Sequence, residues 1–190
     1  MWNTPNLLTL LRILLIPVFA VVFYLPVWWA RLACALIFGA AALTDWLDGY
    51  LARRWEQTSP LGAFLDPVAD KLMIAVALVL LVQADPRPAL ALPAAVIVGR
   101  EITVSALREW MAELGARSRV AVSMVGKFKT TAQMVAIFLL ALGRPSLGLW
   151  PYGLGMVLLY VAAGLTLWSM VLYLRTAWPS LRAPRSSAGR

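Results

Sequence analysis

Apolar runs fill most of the chain, and short polar breaks divide them. The runs cover roughly 6–28, 31–54, 62–83, 88–112, 121–142 and 152–174. Each is near the length at which a helix rising 1.5 Å per residue crosses about 30 Å of hydrocarbon. Turn signals stand between them, "TSPLG" after the second run, "DPRP" after the third and "GRPSLG" after the fifth. The pattern predicts an all-α integral membrane protein, a bundle of six transmembrane helices. The opening "MWNTPNLLTLLRILL" has neither a basic leader nor a small-residue cleavage site, so it reads as a retained first span. The tail "WPSLRAPRSSAGR", residues 178–190, reads as a disordered basic extension of a catalytic domain over 1–177.

Composition sharpens this picture. Of the 190 residues, 62% are hydrophobic and only 14% charged, with a mean hydropathy of +0.78. Soluble domains run nearer half apolar and about a quarter charged, and a chain of this size cannot enclose so much apolar surface as core. The net charge of +8 is unevenly placed. Counted by the side on which the predicted orientation puts them, at span ends and in the connections, twelve basic residues fall on one side, and only Arg31, Arg87 and Arg144 on the other. Arg12 and Arg100 lie inside spans. That asymmetry predicts cytoplasmic N- and C-termini, as in a bacterial inner-membrane protein. Histidine is absent and the one cysteine, Cys34, sits in an apolar run. His general bases, Ser-His or Cys-His nucleophile pairs and His-ligated zinc are thereby excluded. Carboxylates, Lys, Arg and hydroxyls remain for any chemistry.

The carboxylates are concentrated. Asp45, Asp48, Asp66 and Asp70 account for four of the nine acidic residues and fall in one stretch, 44–71. Asp45 and Asp48 are three apart, and Asp66 and Asp70 four apart, so each pair shares a helix face. Gly49, Ala52 and Gly62 at neighbouring turns allow close helix approach. A short loop near 55–61 predicts that the second and third spans are antiparallel neighbours with their acidic pairs face to face. With the assigned orientation, these residues, Arg100, Glu101 and Asn6, Thr9 and Arg12 line a polar cavity open to the cytoplasm. An aspartate at membrane depth costs roughly 2.5–3.5 kcal/mol on the insertion scale, so four need cations. Arg53 and Lys71 offer a salt-bridge network. All-oxygen ligands alternatively suit Mg²⁺ or Mn²⁺, and two such ions would neutralise four carboxylates and form a clamp for phosphoryl displacement.

The spacing Asp45-x2-Asp48-Gly49-x2-Ala52-Arg53-x8-Gly62-x3-Asp66-x3-Asp70 resembles, without a departure, the signature of the CDP-alcohol phosphotransferase family. The stretches "PNLLTLLRI", "GREITVSALREWMAELG" and "GKFKTTAQM" resemble the branch that uses glycerol 3-phosphate. The resemblance implies transfer of the phosphatidyl group from CDP-diacylglycerol to glycerol 3-phosphate, with two Mg²⁺ or Mn²⁺ ions per site and a homodimer in the lipid bilayer. It also implies roles for particular residues. Asp45, Asp48, Asp66 and Asp70 would hold the metals, with Asp70 the proton acceptor. Asn6, Thr9, Asp45, Gly49, Arg53 and Ser59 would contact the CDP part. For the acceptor's phosphate, Arg100, Arg108, Lys127, Lys129 and Arg175 are the candidates; each also satisfies positive-inside topology, except Arg100, which lies within a span. Thr130, Thr131 and Gln133 would hydrogen-bond either substrate or neighbouring helices. Serine, inositol, inositol phosphate and phosphatidylglycerol are the alternative acceptors. A divalent-cation transporter is the reading from a different class, although the outer half of the chain offers it only Asp85.

Overall fold

In a computed structural model, the structure describes residues 4–55, 60–113, 124–143 and 150–182. All regular structure among them is helical: α1 (Thr4–Phe23), α2 (Ala30–Trp55), α3 (Pro60–Ala84), α4 (Pro88–Glu113), α5 (Met124–Leu142) and α6 (Trp150–Arg182). The apolar runs and these helices coincide to within a few residues, except at the chain's end. There α6 continues to Arg182, so the predicted boundary of the tail at 178 falls inside a helix; residues 183–190 lie outside the described ones. Two helices, α4 over Pro88–Met111 and α6 over Trp150–Arg175, are long and apolar enough to cross a membrane.

Three contacts define one end of the bundle. Tyr24, just after α1, donates to Gln83 near the end of α3. Arg31 at the start of α2 donates to the Gly143 carbonyl after α5. Arg87, just before α4, reaches Tyr152 at the start of α6. Successive helices therefore alternate in direction. The opposite end gathers the first halves of α1, α3 and α5 with the second halves of α2, α4 and α6, which carry nearly all the predicted site residues.

The packing order differs from the chain order. α1 packs extensively on both α2 and α3, whereas α2 and α3 touch only lightly among the described residues. Among the described residues the predicted hairpin of α2 and α3 is therefore joined largely through α1, while the side chains at its own turn lie outside the described residues. α5 packs most extensively on α6, and α4 also leans on α6. The α5–α6 seam is close because it uses glycine. A Cβ on Gly155 would lie 2.9 Å from Leu140 Cγ, and one on Gly143 2.8 Å from Tyr152 Cβ.

The interior is an apolar cluster that includes Phe19, Phe38, Leu78, Ile97, Ile137 and Leu159. On the outside, α1 exposes Leu7, Leu11, Leu14, Val18 and Val21. These positions recur every three or four residues and so form one apolar stripe facing away from the bundle.

Candidate active site

Charged and polar side chains are buried at the end opposite Tyr24 and Arg87, in two groups. The first belongs to α1, α2 and α3. Arg12, 1% exposed, extends its guanidinium between two carboxylates. Its Nη1 lies 2.6 Å from Asp70 Oδ1 on α3 and 3.2 Å from Asp45 Oδ1 on α2. Those two oxygens can therefore be no further apart than the sum of the contacts. One turn before Arg12, the fully buried Thr9 donates its hydroxyl to Asp66 Oδ1. Thr9 and Arg12 share a face of α1 by their spacing, as Asp66 and Asp70 do on α3. One helix thus presents a hydroxyl and a cation to the paired acids of another. The cleft among Arg12, Asp45, Asp70 and Met134 has a volume of only about 10 Å³, no more than one water needs. The guanidinium fills it.

Three of the four predicted aspartates thus converge on α1, and Asp45 and Asp70 remain about a third exposed. Among the described residues, no three carboxylates surround a single point, because Arg12 separates Asp45 from Asp70 and Thr9 engages Asp66. The side chains of Asp48, Gly49, Arg53 and Asn6 lie outside the described residues, as does Ser59.

The second group belongs to α4, α5 and α6. Glu101 on α4 receives both Lys129 of α5, at 2.5 Å, and its neighbour Arg100, at 3.0 Å. Arg100 also donates to Ser169 of α6 at 3.1 Å. Arg108, two turns further along α4, donates to the Tyr173 hydroxyl at 3.0 Å. The guanidiniums of Arg100 and Arg108 lie 5.6 and 5.4 Å from the centre of the Tyr173 ring, within cation–π reach. Lys129 is buried, and Arg175 is exposed at the same end; the Lys127 side chain lies outside the described residues. Two cations thus share one carboxylate, with Arg108 beside them on Tyr173, an imbalance suited to an anion.

The two groups are connected. Lys71, next to Asp70, donates to Ser105 of α4, whose hydroxyl donates to the Glu101 carbonyl. Lys71, Ser105, Glu101 and Glu109 also line a crevice of about 460 Å³ between α3 and α4. At the other end of the bundle, Asp85 is held by Arg87 and by the Tyr152 hydroxyl. The Arg87 hydrogen bond is the main reason that the Asp85 carboxyl sits below its ordinary value, against the opposing effect of burial.

Sequence reasoning placed Arg12 inside a span, at the polar cavity, without naming its partners. A lone cation within an apolar run signals an intramembrane partner, and that signal was present. Ser105, Ser169 and Tyr173 carried no comparable mark.

A profile of the CDP-alcohol phosphatidyltransferase family matches residues 2–168. The chain is 59% identical to a Pseudomonas fluorescens protein over 95% of this chain and 92% of the relative. It is 58% identical to one from Pectobacterium atrosepticum over 96% and 99%, and 58% identical to one from Escherichia coli K12 over 93% and 95%. All three relatives bear the name CDP-diacylglycerol–glycerol-3-phosphate 3-phosphatidyltransferase.

Proposed function

The chain belongs to the CDP-alcohol phosphatidyltransferase family, and from that premise we propose that it transfers the phosphatidyl group of CDP-diacylglycerol to sn-glycerol 3-phosphate. The products are phosphatidylglycerophosphate and CMP. The observation that carries this reading is the gathering of Asp45, Asp66 and Asp70 on Thr9 and Arg12, beside a cation-rich group on α4–α6.

The acidic group fits a hard divalent cation. Its donors are all oxygen, and the Arg12 guanidinium already occupies a cation's place between two of them. Asp45, Asp48, Asp66 and Asp70 would hold Mg²⁺ or Mn²⁺, in a pair by the charge balance of four carboxylates. Such ions, when bound, neutralise charge on a diphosphate and orient it for in-line displacement.

The chain's own residues supply the rest. The carbon-1 hydroxyl of glycerol 3-phosphate bonds to the β-phosphorus of CDP-diacylglycerol, and the bond from that phosphorus to the CMP oxygen breaks. The hydroxyl proton passes to Asp70. Arg12 contacts Asp70 Oδ1, so the other carboxylate oxygen, or a shift of Arg12, serves that transfer. Thr9 orients Asp66 by hydrogen bond. Lys129, Arg100 and Arg108, with Lys127 and Arg175 nearby in sequence or at the same end, bind the acceptor's phosphate. Asn6, Gly49, Arg53 and Ser59 contact the CDP part, Gly49 by leaving room for close approach.

The setting is a bilayer crossed by all six helices, with both chain termini on the cytoplasmic side. The outward apolar stripe of α1 supports this reading, as does the clustering of basic residues at the site end. The site is then within reach of a lipid substrate from the side and a soluble anion from the cytoplasm. A second copy of the chain is the protein partner, testable by sedimentation in detergent. The transporter alternative needs free ligands along the outer half, where Asp85 is engaged by Arg87 and Tyr152.

The deciding experiment supplies purified protein with CDP-diacylglycerol, Mg²⁺ or Mn²⁺, and one alcohol at a time, and follows CMP. Release with glycerol 3-phosphate, abolished by chelator, is expected. Strong release with serine or inositol in its place would overturn the acceptor.

A further inference from the structure

Gln133 is buried in a way that folding does not account for. It is 1% exposed, on the inward stripe of α5 with Lys129, Ala136, Ile137 and Leu140. Neither its amide oxygen nor its amide nitrogen has a hydrogen-bond partner among the described residues. An amide removed from water without a partner weighs against the fold as heavily as a lost hydrogen bond. A leucine would fill the same stripe without that penalty. Thr166 on α6 is in the same condition, fully buried with its hydroxyl unpartnered among the described residues.

Position suggests what the amide serves. One turn before Gln133 stands Lys129, which with Arg100 holds Glu101 in the basic group. The residue after it, Met134, lines the cleft with Arg12, Asp45 and Asp70. Gln133 is therefore one turn along α5 from a cation suited to a phosphate and next in sequence to a residue that lines the acidic cleft. Glycerol 3-phosphate has the same order along its carbons: phosphate, middle hydroxyl, reacting hydroxyl. A neutral amide both donates and accepts, which matches a neutral hydroxyl and not a phosphate.

We propose that Gln133 reads the carbon-2 hydroxyl of the acceptor and so determines specificity for glycerol 3-phosphate. This rests on the acceptor reading above. Gln133 takes no part in proton transfer; its amide exchanges hydrogen bonds with the middle hydroxyl and holds carbon 1 toward Asp70.

The test compares glycerol 3-phosphate with 3-hydroxypropyl phosphate, which keeps the phosphate and the primary hydroxyl and has hydrogen at carbon 2. A wild-type preference of about 10–100-fold in kcat/KM is expected for a buried hydroxyl contact. In Gln133→Leu that preference should collapse to within about threefold by loss of rate on glycerol 3-phosphate alone. The KM for CDP-diacylglycerol should stay the same. The melting temperature without acceptor should hold or rise, because no hydrogen bond within the fold is lost. A Gln133→Leu protein that keeps the full preference overturns the proposal. So does one that melts lower or fails to fold, since its amide then bonds a neighbouring helix. A wild-type protein inactive on glycerol 3-phosphate but active on another alcohol removes the acceptor reading itself, an outcome distinct from both.

Discussion

The two halves of the polar end are built as opposites. In α1–α3, among the described residues, Asp45 and Asp70 share the Arg12 guanidinium and Asp66 accepts the Thr9 hydroxyl. In α4–α6, among the described residues, Arg100 and Lys129 share the Glu101 carboxylate, and Arg108 sits beside them on Tyr173. In each, one counter-charge is placed between two groups that would otherwise repel, and among the described residues Asp66 and Arg108 stand beside these contacts without an ion pair. A network built for stability would pair the surplus acids of one half with the surplus cations of the other. Among the described residues the link between them is instead Lys71 to the neutral hydroxyl of Ser105. Charge left over on both sides of one site is what a reaction between a cation-bound diphosphate and an anionic acceptor requires.

Substitutions can break this comparison, beginning with the strongest. Asp70→Asn keeps the shape of the acidic half and removes the proposed proton acceptor. CMP release should fall about 10²–10⁴-fold, with a somewhat lower melting temperature because the buried Arg12 loses one of its two carboxylate partners. Near-normal release would remove Asp70 from the chemistry.

Lys129→Met attacks the other half. Glu101 keeps Arg100 as partner, so the loss should appear as a rise of about 10–100-fold in the acceptor's KM, the value of a charge-assisted contact. The KM for CDP-diacylglycerol should hardly move. An equal rise for both substrates would mean that the two halves do not divide the substrates between them.

Arg12→Met sharpens the account of the counter-charges. Asp45 and Asp70 are left adjacent without the guanidinium, and because both are about a third exposed the loss should be only about 1–2 kcal/mol, a few degrees in melting temperature. Added Mg²⁺ should raise the melting temperature of Arg12→Met more than that of wild type. Equal responses would show that the guanidinium and the ion do not share a place.

The smallest effect lies at the far end. The lowered Asp85 carboxyl contributes stability at pH values above the ordinary carboxylate value of about 3.9. That contribution is lost as pH falls through the lower folded value. Melting temperature measured from pH 7 downward should therefore respond to Asp85 only in strong acid, and Asp85→Asn should flatten that part of the curve without altering CMP release. A response between pH 5 and 7 would assign the titration elsewhere.

Much of this was legible along the chain. The helix bounds followed from apolar runs of bilayer length, since only internally bonded backbone can sit in lipid. Asp66 and Asp70 could be placed on one face because four residues make about one turn. The pairing of Arg100 with Glu101 was also within reach, the two being neighbours in sequence. What failed was the step from chain order to contact order. α2 and α3 are consecutive in the chain, yet Asp45 of one and Asp66 and Asp70 of the other turn to α1, 58 residues before Asp70 in the case of Arg12. Lys129 and Glu101 likewise meet across 28 residues and two helices. Small residues and apolar faces permit several neighbours for each helix, and nothing local to α2 or α3 ranks α1 first.

By itself the amino-acid order determined how many helices there are, which residues share a face, and which end of each helix carries charge, because those are matters of pitch, length and solvation. Which faces meet was decided only in the folded bundle. Burying Arg12 is tolerable where two carboxylates from different helices reach it at once, and that condition involves three segments together. The amide of Gln133 is of the same kind: the sequence left it to bond either substrate or a neighbouring helix, and among the described residues of the folded bundle no helix supplies a partner.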